Sequence, residues 1–191
     1  ALEQGAGPYL DAIGFHPYTM AWPEMGLGSL DVVDGKQVSK SKEQLGFETW
    51  EEMLAFLKAK FADYNPNFEF WANEWNAISD RLDAYQSGNS ELAEAKQGAR
   101  FFLMGALTEV HCVWWSLANR NGELDWAVLR MEDLSPKPLY YSLRAMATLL
   151  SGAKADPAIA IKTEGEAPDL RTAALRGRDG EIGRASCRER V

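Results

Sequence analysis

The sequence predicts an α/β fold built on a parallel sheet, and three observations carry that reading. Strand-like runs rich in aromatic and β-branched residues alternate with longer runs of helical period, the pattern of βα units. The helical runs are bounded by capping and stop signals. From Pro157 onward the texture changes to short β-like runs with Gly-Asp turns, as at the beginning of a β-rich domain.

The first strand falls in residues 9–18 (YLDAIGFHPY), and the polar stretch 19–48 that follows far exceeds the ~2–6 residues of an ordinary βα loop. Within it, VVDGKQV over 32–38 has the Asp-Gly signal of a two-residue hairpin. A helix begins after Thr49, where Thr49 and Glu52 have capping-box spacing and Trp50, Met53, Leu54, Leu57 and Phe61 recur at helical period. Asn65-Pro66 ends it.

The second strand is 68–74 (FEFWANE), followed by a polar loop over 75–89. Ser90 is the expected N-cap of the next helix, with an apolar face of Leu92, Ala95, Ala99, Phe102, Leu103 and Ala106. The third strand is 110–116 (VHCVWWS), and a last helix over 138–150 opens on Pro138 and closes at Gly152. Further β-like runs are expected at 159–162 and 170–175. Residues 1–152 are therefore read as one α/β unit and 153–181 as the start of a β-rich one. The final ten residues, IGRASCRERV (182–191), read as the in-frame translation of a sequencing adapter; they are set aside and expected not to pack against the core.

The chain has 191 residues, is 46% hydrophobic and 25% charged, and holds no apolar run long enough to cross a bilayer. Its formal net charge is −8, and the set-aside segment contributes three Arg and one Glu, so the remainder carries −10. Nucleic acid and anionic membranes need a basic footprint and are disfavoured as partners, whereas a neutral substrate such as a sugar polymer is compatible. Setting aside Cys187 leaves Cys112 alone, so an internal disulfide is excluded and the compartment stays open. The N-terminus carries no leader-like segment; a secreted or periplasmic protein would have its signal peptide upstream.

Strand parity nominates the chemistry-bearing side chains. With His16 turned inward, Ala12, Gly14 and Tyr18 go with it and Ile13 and Phe15 face the helices. An inward Glu74 takes Phe68, Phe70 and Ala72, leaving Trp71 toward the helices. An inward Trp115 takes His111 and Val113, with Trp114 in the helix-facing core. One cavity rim thus receives a carboxylate, an imidazole, a phenol and an indole. His111 lies deeper in its strand and reads as structural. With two histidines in the chain and no second ligand at suitable spacing, no zinc site is expected. Trp22, Trp75 and Trp126 lie in rim loops as candidate subsite walls. Asp80, Asp83 and Glu123 read as solvated charges, with Asp125 the reserve candidate for a polar substrate contact.

Three segments together resemble glycoside hydrolase clan A, the retaining (β/α)8 TIM-barrel glycosidases that include the cellulases. DAIGFHPY (11–18) is similar to the sixth barrel strand, FWANEW (70–75) to the seventh and WWSL (114–117) to the eighth; PKPLYY (136–141) resembles the segment that opens the final barrel helix. The resemblance implies a partial TIM barrel of about strands six to eight with their helices, since a complete barrel takes roughly 250 residues. An Asn-Glu pair is more typical of the fourth strand, where it marks the acid/base. The His-Pro-Tyr strand before Asn73-Glu74, and the single strand and helix after it, place the pair at the seventh.

By the resemblance Glu74 is the nucleophile, His16 and Tyr18 position sugar and nucleophile, Trp115 is the stacking platform, and Asn73 contacts substrate. The acid/base would lie upstream of this segment. No cofactor or metal is implied. A carbohydrate-binding barrel that kept the aromatic cleft and lost its acid/base is the alternative from another class.

Overall fold

The computed structural model describes residues 1–17, 30–33, 36–39, 49–75, 90–118, 127–159, 161, 170–178, 180 and 182–188. In chain order the elements are β1 (Ala12–Phe15), β2 (Leu30–Val33), β3 (Lys36–Ser39), α1 (Trp50–Ala62), β4 (Glu69–Trp75), α2 (Ser90–Thr108), β5 (Val110–Trp114), α3 (Pro138–Leu150), β6 (Lys154–Ala155), β7 (Leu170–Arg176) and β8 (Ile182–Arg188). β1, β4 and β5 form a parallel sheet in that order, so the three expected strands are adjacent. Among the described residues this sheet has three strands and does not close. β2 and β3 pair antiparallel with Val33 opposite Lys36, the register of the two-residue hairpin that Asp34-Gly35 signals.

Local chemistry accounts for the helix ends. Thr49 caps α1 through both halves of a capping box: its Oγ1 accepts from the Glu52 amide at 3.2 Å, and the Thr49 amide donates back to the Glu52 carboxylate at 3.4 Å. Glu51 and Glu52 in the first turn and Lys60 in the last complement the helix dipole. Asn65 then takes over the chain: its Oδ1 accepts from the Asn67 amide and its Nδ2 donates to the Leu10 carbonyl, tying the turn to the lead-in of β1. α3 starts with Pro138 in its first turn and stops at Ser151, with Gly152 left-handed at φ 68°.

The core lies between one face of the sheet and the helices. Trp50, Met53 and Leu54 of α1, Phe70, Ala72 and Trp75 of β4, Ala93, Phe101 and Met104 of α2 and Val110 of β5 form one buried cluster, with Ile13 and Phe15 of β1 packed against it. Phe101 is at its centre, stacked on Trp75 at 4.4 Å between centroids and edge-on to Trp50 at 6.0 Å. Each such ring contributes about 1.5–3 kcal/mol by burial. The Trp50 indole N–H is satisfied by Thr108 Oγ1 at 3.0 Å.

Of the apolar face expected for α2, Ala95 and Leu103 are buried and Phe102 packs against the core, but the buried arc is wider than expected and omits Leu92. Leu92 is exposed, while Ala93, Glu94, Gln97 and Phe101 are buried. The reason is that α2 packs against both the sheet and α3, so its buried arc is wider than a single stripe and includes polar positions. Glu94 meets Lys137 at 3.5 Å with both side chains fully buried, an ion pair that joins α2 to the start of α3. Two glycines set the approach. A β-carbon at Gly98 would run into Leu139 of α3. One at Gly105 would meet Cys112 Sγ and, at 2.8 Å, the Val110 carbonyl of β5.

Beyond α3, β6, β7 and β8 form an antiparallel sheet. Of the run expected over 159–162 only residues 159 and 161 are described, neither of them in a strand; the strand before them is Lys154–Ala155, and Asp156 makes a turn after it. Its Oδ1 accepts from the Ala158 amide, its carbonyl accepts from the Ile159 amide, and its Oδ2 receives two donors from Arg176 of β7. Arg176 holds the Asp156 carboxyl below its ordinary range. Ile182–Arg188 pairs with β7 in an unbroken seven-residue register. Ladder hydrogen bonds are a property of backbone, and any chain without Pro can complete an open edge.

Gly105→Ala should destabilise the fold by about 1–3 kcal/mol despite alanine's better helix propensity, because the obstacle is backbone of β5 and overpacking outweighs propensity. Urea unfolding monitored by circular dichroism measures this; an unchanged or raised midpoint would contradict the close approach.

Candidate active site at the strand ends

The site sits where β1, β4 and β5 end. The placement of Glu74 depends on an irregularity in β4. Phe70, Trp71 and Ala72 pair in step with Val110, His111 and Cys112, yet the next pair is Trp75 with Trp114, so three residues of β4 span what two residues span in β5. This is a β-bulge. It overturns the strict alternation expected for β4: Phe70 and Ala72 face the helices and Trp71 faces away from them, the reverse of the expectation. The extra residue then lets Trp75 turn back into the core while Glu74 stays clear of it.

Glu74 reaches His16, which immediately follows β1: His16 Nδ1 and Glu74 Oε2 are 3.7 Å apart, with the side chains 50% and 31% exposed. Asn73 lies on the same face. Its side chain covers Gly14, where a β-carbon would come within 3.2 Å of the Asn73 amide, so the glycine in β1 makes room for the polar residue of β4. Parity in β1 is as expected, with Ile13 and Phe15 on the helix side. In β5 it is as expected too: His111, Val113 and Trp115 are exposed on one face, and Trp114 packs with the core on the other.

Trp115 extends the ladder one residue past β5, its amide donating to the Trp75 carbonyl at 2.9 Å, and its indole is 49% exposed at the rim. The Trp115–Ser116 peptide is cis. Trp75 is not a rim residue. It is 1% exposed, stacked on Phe101 and edge-on to Trp114, because the bulge directs it among the helices, where a large ring gains more from burial than from solvent. Tyr18, Trp22, Asp125 and Trp126 lie outside the described residues, as do Asp80, Asp83 and Glu123.

A second group occupies the same face nearer the strand starts. Trp71 packs against His111 with ring centroids 4.6 Å apart and planes tilted by 30°, and Glu69 accepts from the Trp71 indole at 3.1 Å and lies 3.6 Å from His111 Nε2. His111 thus has aromatic and carboxylate neighbours, a cross-strand cluster that alternation in β4 concealed. Among the described residues no cluster of three or more His, Cys, Asp or Glu is placed to hold a metal ion.

Behind the site, Cys112 of β5 points into the helix layer toward the carbonyls of Phe101 and Val110 at 3.7 Å. Burial pushes its thiol up to about 12, which keeps it in the thiol form at neutral pH.

Neither a family model nor a curated protein sequence matches the chain. Among solved structures, the chain is similar to a family 39 glycoside hydrolase from the gut symbiont Bacteroides cellulosilyticus WH2, with 19% sequence identity and a TM-score of 0.63 over 99% of this chain. The match spans 36% of that protein's length. At this identity the likeness is one of fold: the chain has a glycosidase-like α/β architecture.

The Cys112 thiol yields a pH prediction. A pKa raised in the folded state contributes stability that is full below the unfolded value of about 8.5 and is lost as pH rises through the folded one. Urea midpoints measured across the alkaline range should therefore fall more steeply for the parent chain than for Cys112→Ala. Equal slopes would show that the thiol is not buried as described.

Proposed function

We propose that this segment belongs to a retaining glycoside hydrolase, with Glu74 as the nucleophile that attacks the anomeric carbon of an oligo- or polysaccharide. The observation that carries the reading is the convergence of Glu74 and His16 at the ends of two adjacent parallel strands. The fold likeness to a glycoside hydrolase supports it. The C-terminal ends of parallel strands are where α/β barrels assemble catalytic groups from successive strands, and the strands here are taken as about the sixth to eighth of such a barrel.

The roles follow from chemistry. Double displacement needs an ionised carboxylate on one face of the sugar and a second carboxyl about 5–5.5 Å away, which serves as acid and then base. Glu74 is the first; the second is assigned to a strand outside this segment. Attack by the Glu74 carboxylate forms a glycosyl ester and expels the leaving-group oxygen, which takes the acid's proton. Water, deprotonated by the same group, then breaks the ester and frees Glu74. His16 contacts the nucleophile and, with Tyr18, positions it and the sugar. Trp115 presents an indole face to the C–H side of a pyranose. Asn73 offers an amide beside the nucleophile, and Asp125, Trp22 and Trp126 are assigned to the surrounding loops as substrate contacts. Neither metal nor cofactor enters this scheme.

The test uses the enzyme encoded by the longest reading frame containing this segment. Glu74→Ala should lower turnover of an activated aryl glycoside by several orders of magnitude while leaving sugar binding largely intact. Added azide should restore turnover and give a glycosyl azide of inverted configuration, since the anion occupies the space of the lost carboxylate. Retained configuration would make Glu74 the acid/base instead. Near-parental turnover would remove Glu74 from the chemistry, and a parent that binds sugar without cleaving it would be a binding barrel. Trp115→Ala should weaken binding by about 1–3 kcal/mol, read by calorimetry.

A further inference from the structure

The segment that begins at Ala127 backs the residues that follow Trp115. The Val128 amide donates to the Ser116 carbonyl at 3.2 Å and the Leu129 amide to the Leu117 carbonyl at 3.0 Å. The chain then bends sharply. The Arg130 amide donates to the Ser135 carbonyl, Leu129 bridges Pro136, and the Lys137 amide returns to the Val128 carbonyl.

The side chain of Arg130 holds this bend to the helix layer. Nε and one terminal nitrogen grip both oxygens of Glu91, in the first turn of α2, while the other terminal nitrogen donates to Ser135 Oγ and to the Pro136 carbonyl, each at 3.1 Å. One guanidinium thus joins α2, the bend and the arm that leads into α3.

The pair is partly exposed, at 37% for Arg130 and 25% for Glu91, so screening by solvent keeps its share of global stability small. A bidentate fork contributes direction more than energy: two parallel hydrogen bonds fix the guanidinium plane, and the remaining donors transmit that plane to the backbone. What lies at the far end of the connection is the rim indole.

We propose that Arg130 and Glu91 are a positioning pair for the substrate platform, holding residues 127–129 against Ser116 and Leu117 so that the Trp115 ring keeps one orientation at the rim. This rests on the reading of Trp115 as a sugar platform, and the test separates the two.

The enzyme encoded by the longest reading frame containing this segment is labelled with 5-fluorotryptophan. The fluorine resonances of Trp115 and of the core residue Trp50 are assigned with Trp115→Phe and Trp50→Phe. In Arg130→Lys, which keeps the charge and loses the fork, and in Glu91→Gln, which keeps the size and loses the charge, the Trp115 resonance should shift or broaden while that of Trp50 stays in place. The double variant should move Trp115 no further than the larger single effect, as members of one pair act through one contact. An unmoved Trp115 resonance in both folded variants would overturn the proposal. So would displacement of Trp50 in both, since the pair would then be a general stabiliser. Sugar binding decides the platform separately: if the parent enzyme loses no affinity on Trp115→Ala while the resonance still responds to Arg130→Lys, positioning stands and the platform falls.

Discussion

The extra residue in β4 is the constraint on which the rest of the site depends. Parallel pairing ties Phe70, Trp71 and Ala72 to their neighbours in β5 in strict alternation, and continuing that alternation would turn Glu74 among the helices and Trp75 out to solvent. The bulge exchanges them. A fully buried indole stacked on Phe101 is favourable by several times the net worth of an exposed polar contact, so the core sets where the bulge falls and the carboxylate follows. The pairing of Glu74 with His16 is thus a consequence of packing on the opposite face of the sheet.

The helix layer is shaped by how closely α2 approaches its neighbours. Gly105 admits the Cys112 thiol and the backbone of β5, and Gly98 admits Leu139 of α3. That closeness brings Glu94 and Lys137 together where neither touches solvent. Such a pair adds little net stability against an apolar equivalent, yet removing one partner leaves a buried charge at a cost of about 3–5 kcal/mol. It therefore constrains α3 to one seating on α2, just beneath the segment that begins at Ala127. The partly exposed Arg130–Glu91 fork acts at that segment's bend, where direction matters and energy is minor.

The two faces of the sheet divide the labour. The helix face is apolar and close-packed; the other carries polar and aromatic side chains in two tiers, Glu69, Trp71 and His111 toward the strand starts and His16, Asn73, Glu74 and Trp115 toward their ends. A carboxylate, an imidazole and an exposed indole thus share one rim of the sheet, opposite the close-packed helix layer.

Elements were legible from sequence wherever one local rule governed them. Thr49 and Glu52 announced the start of α1, Pro138 and Gly152 bracketed α3, Asp34-Gly35 signalled the register of β2 and β3, and alternation read both faces of β1 and β5 correctly. These features depend on neighbours a few residues apart, whose physics is written in the chain. What the tertiary structure alone decided were matters of partnership. Trp75 read as a loop residue because its stacking partner, Phe101, is distant in sequence. Counting back from Glu74 by alternation puts Trp71 on the wrong face, because a bulge is a property of two paired strands. The burial of Glu94 and Gln97 escapes a reading of α2's own period because its second neighbour, α3, is invisible there. Even the pairing of β8 with β7 arose from an open backbone edge, which any extended segment can meet whatever its side chains.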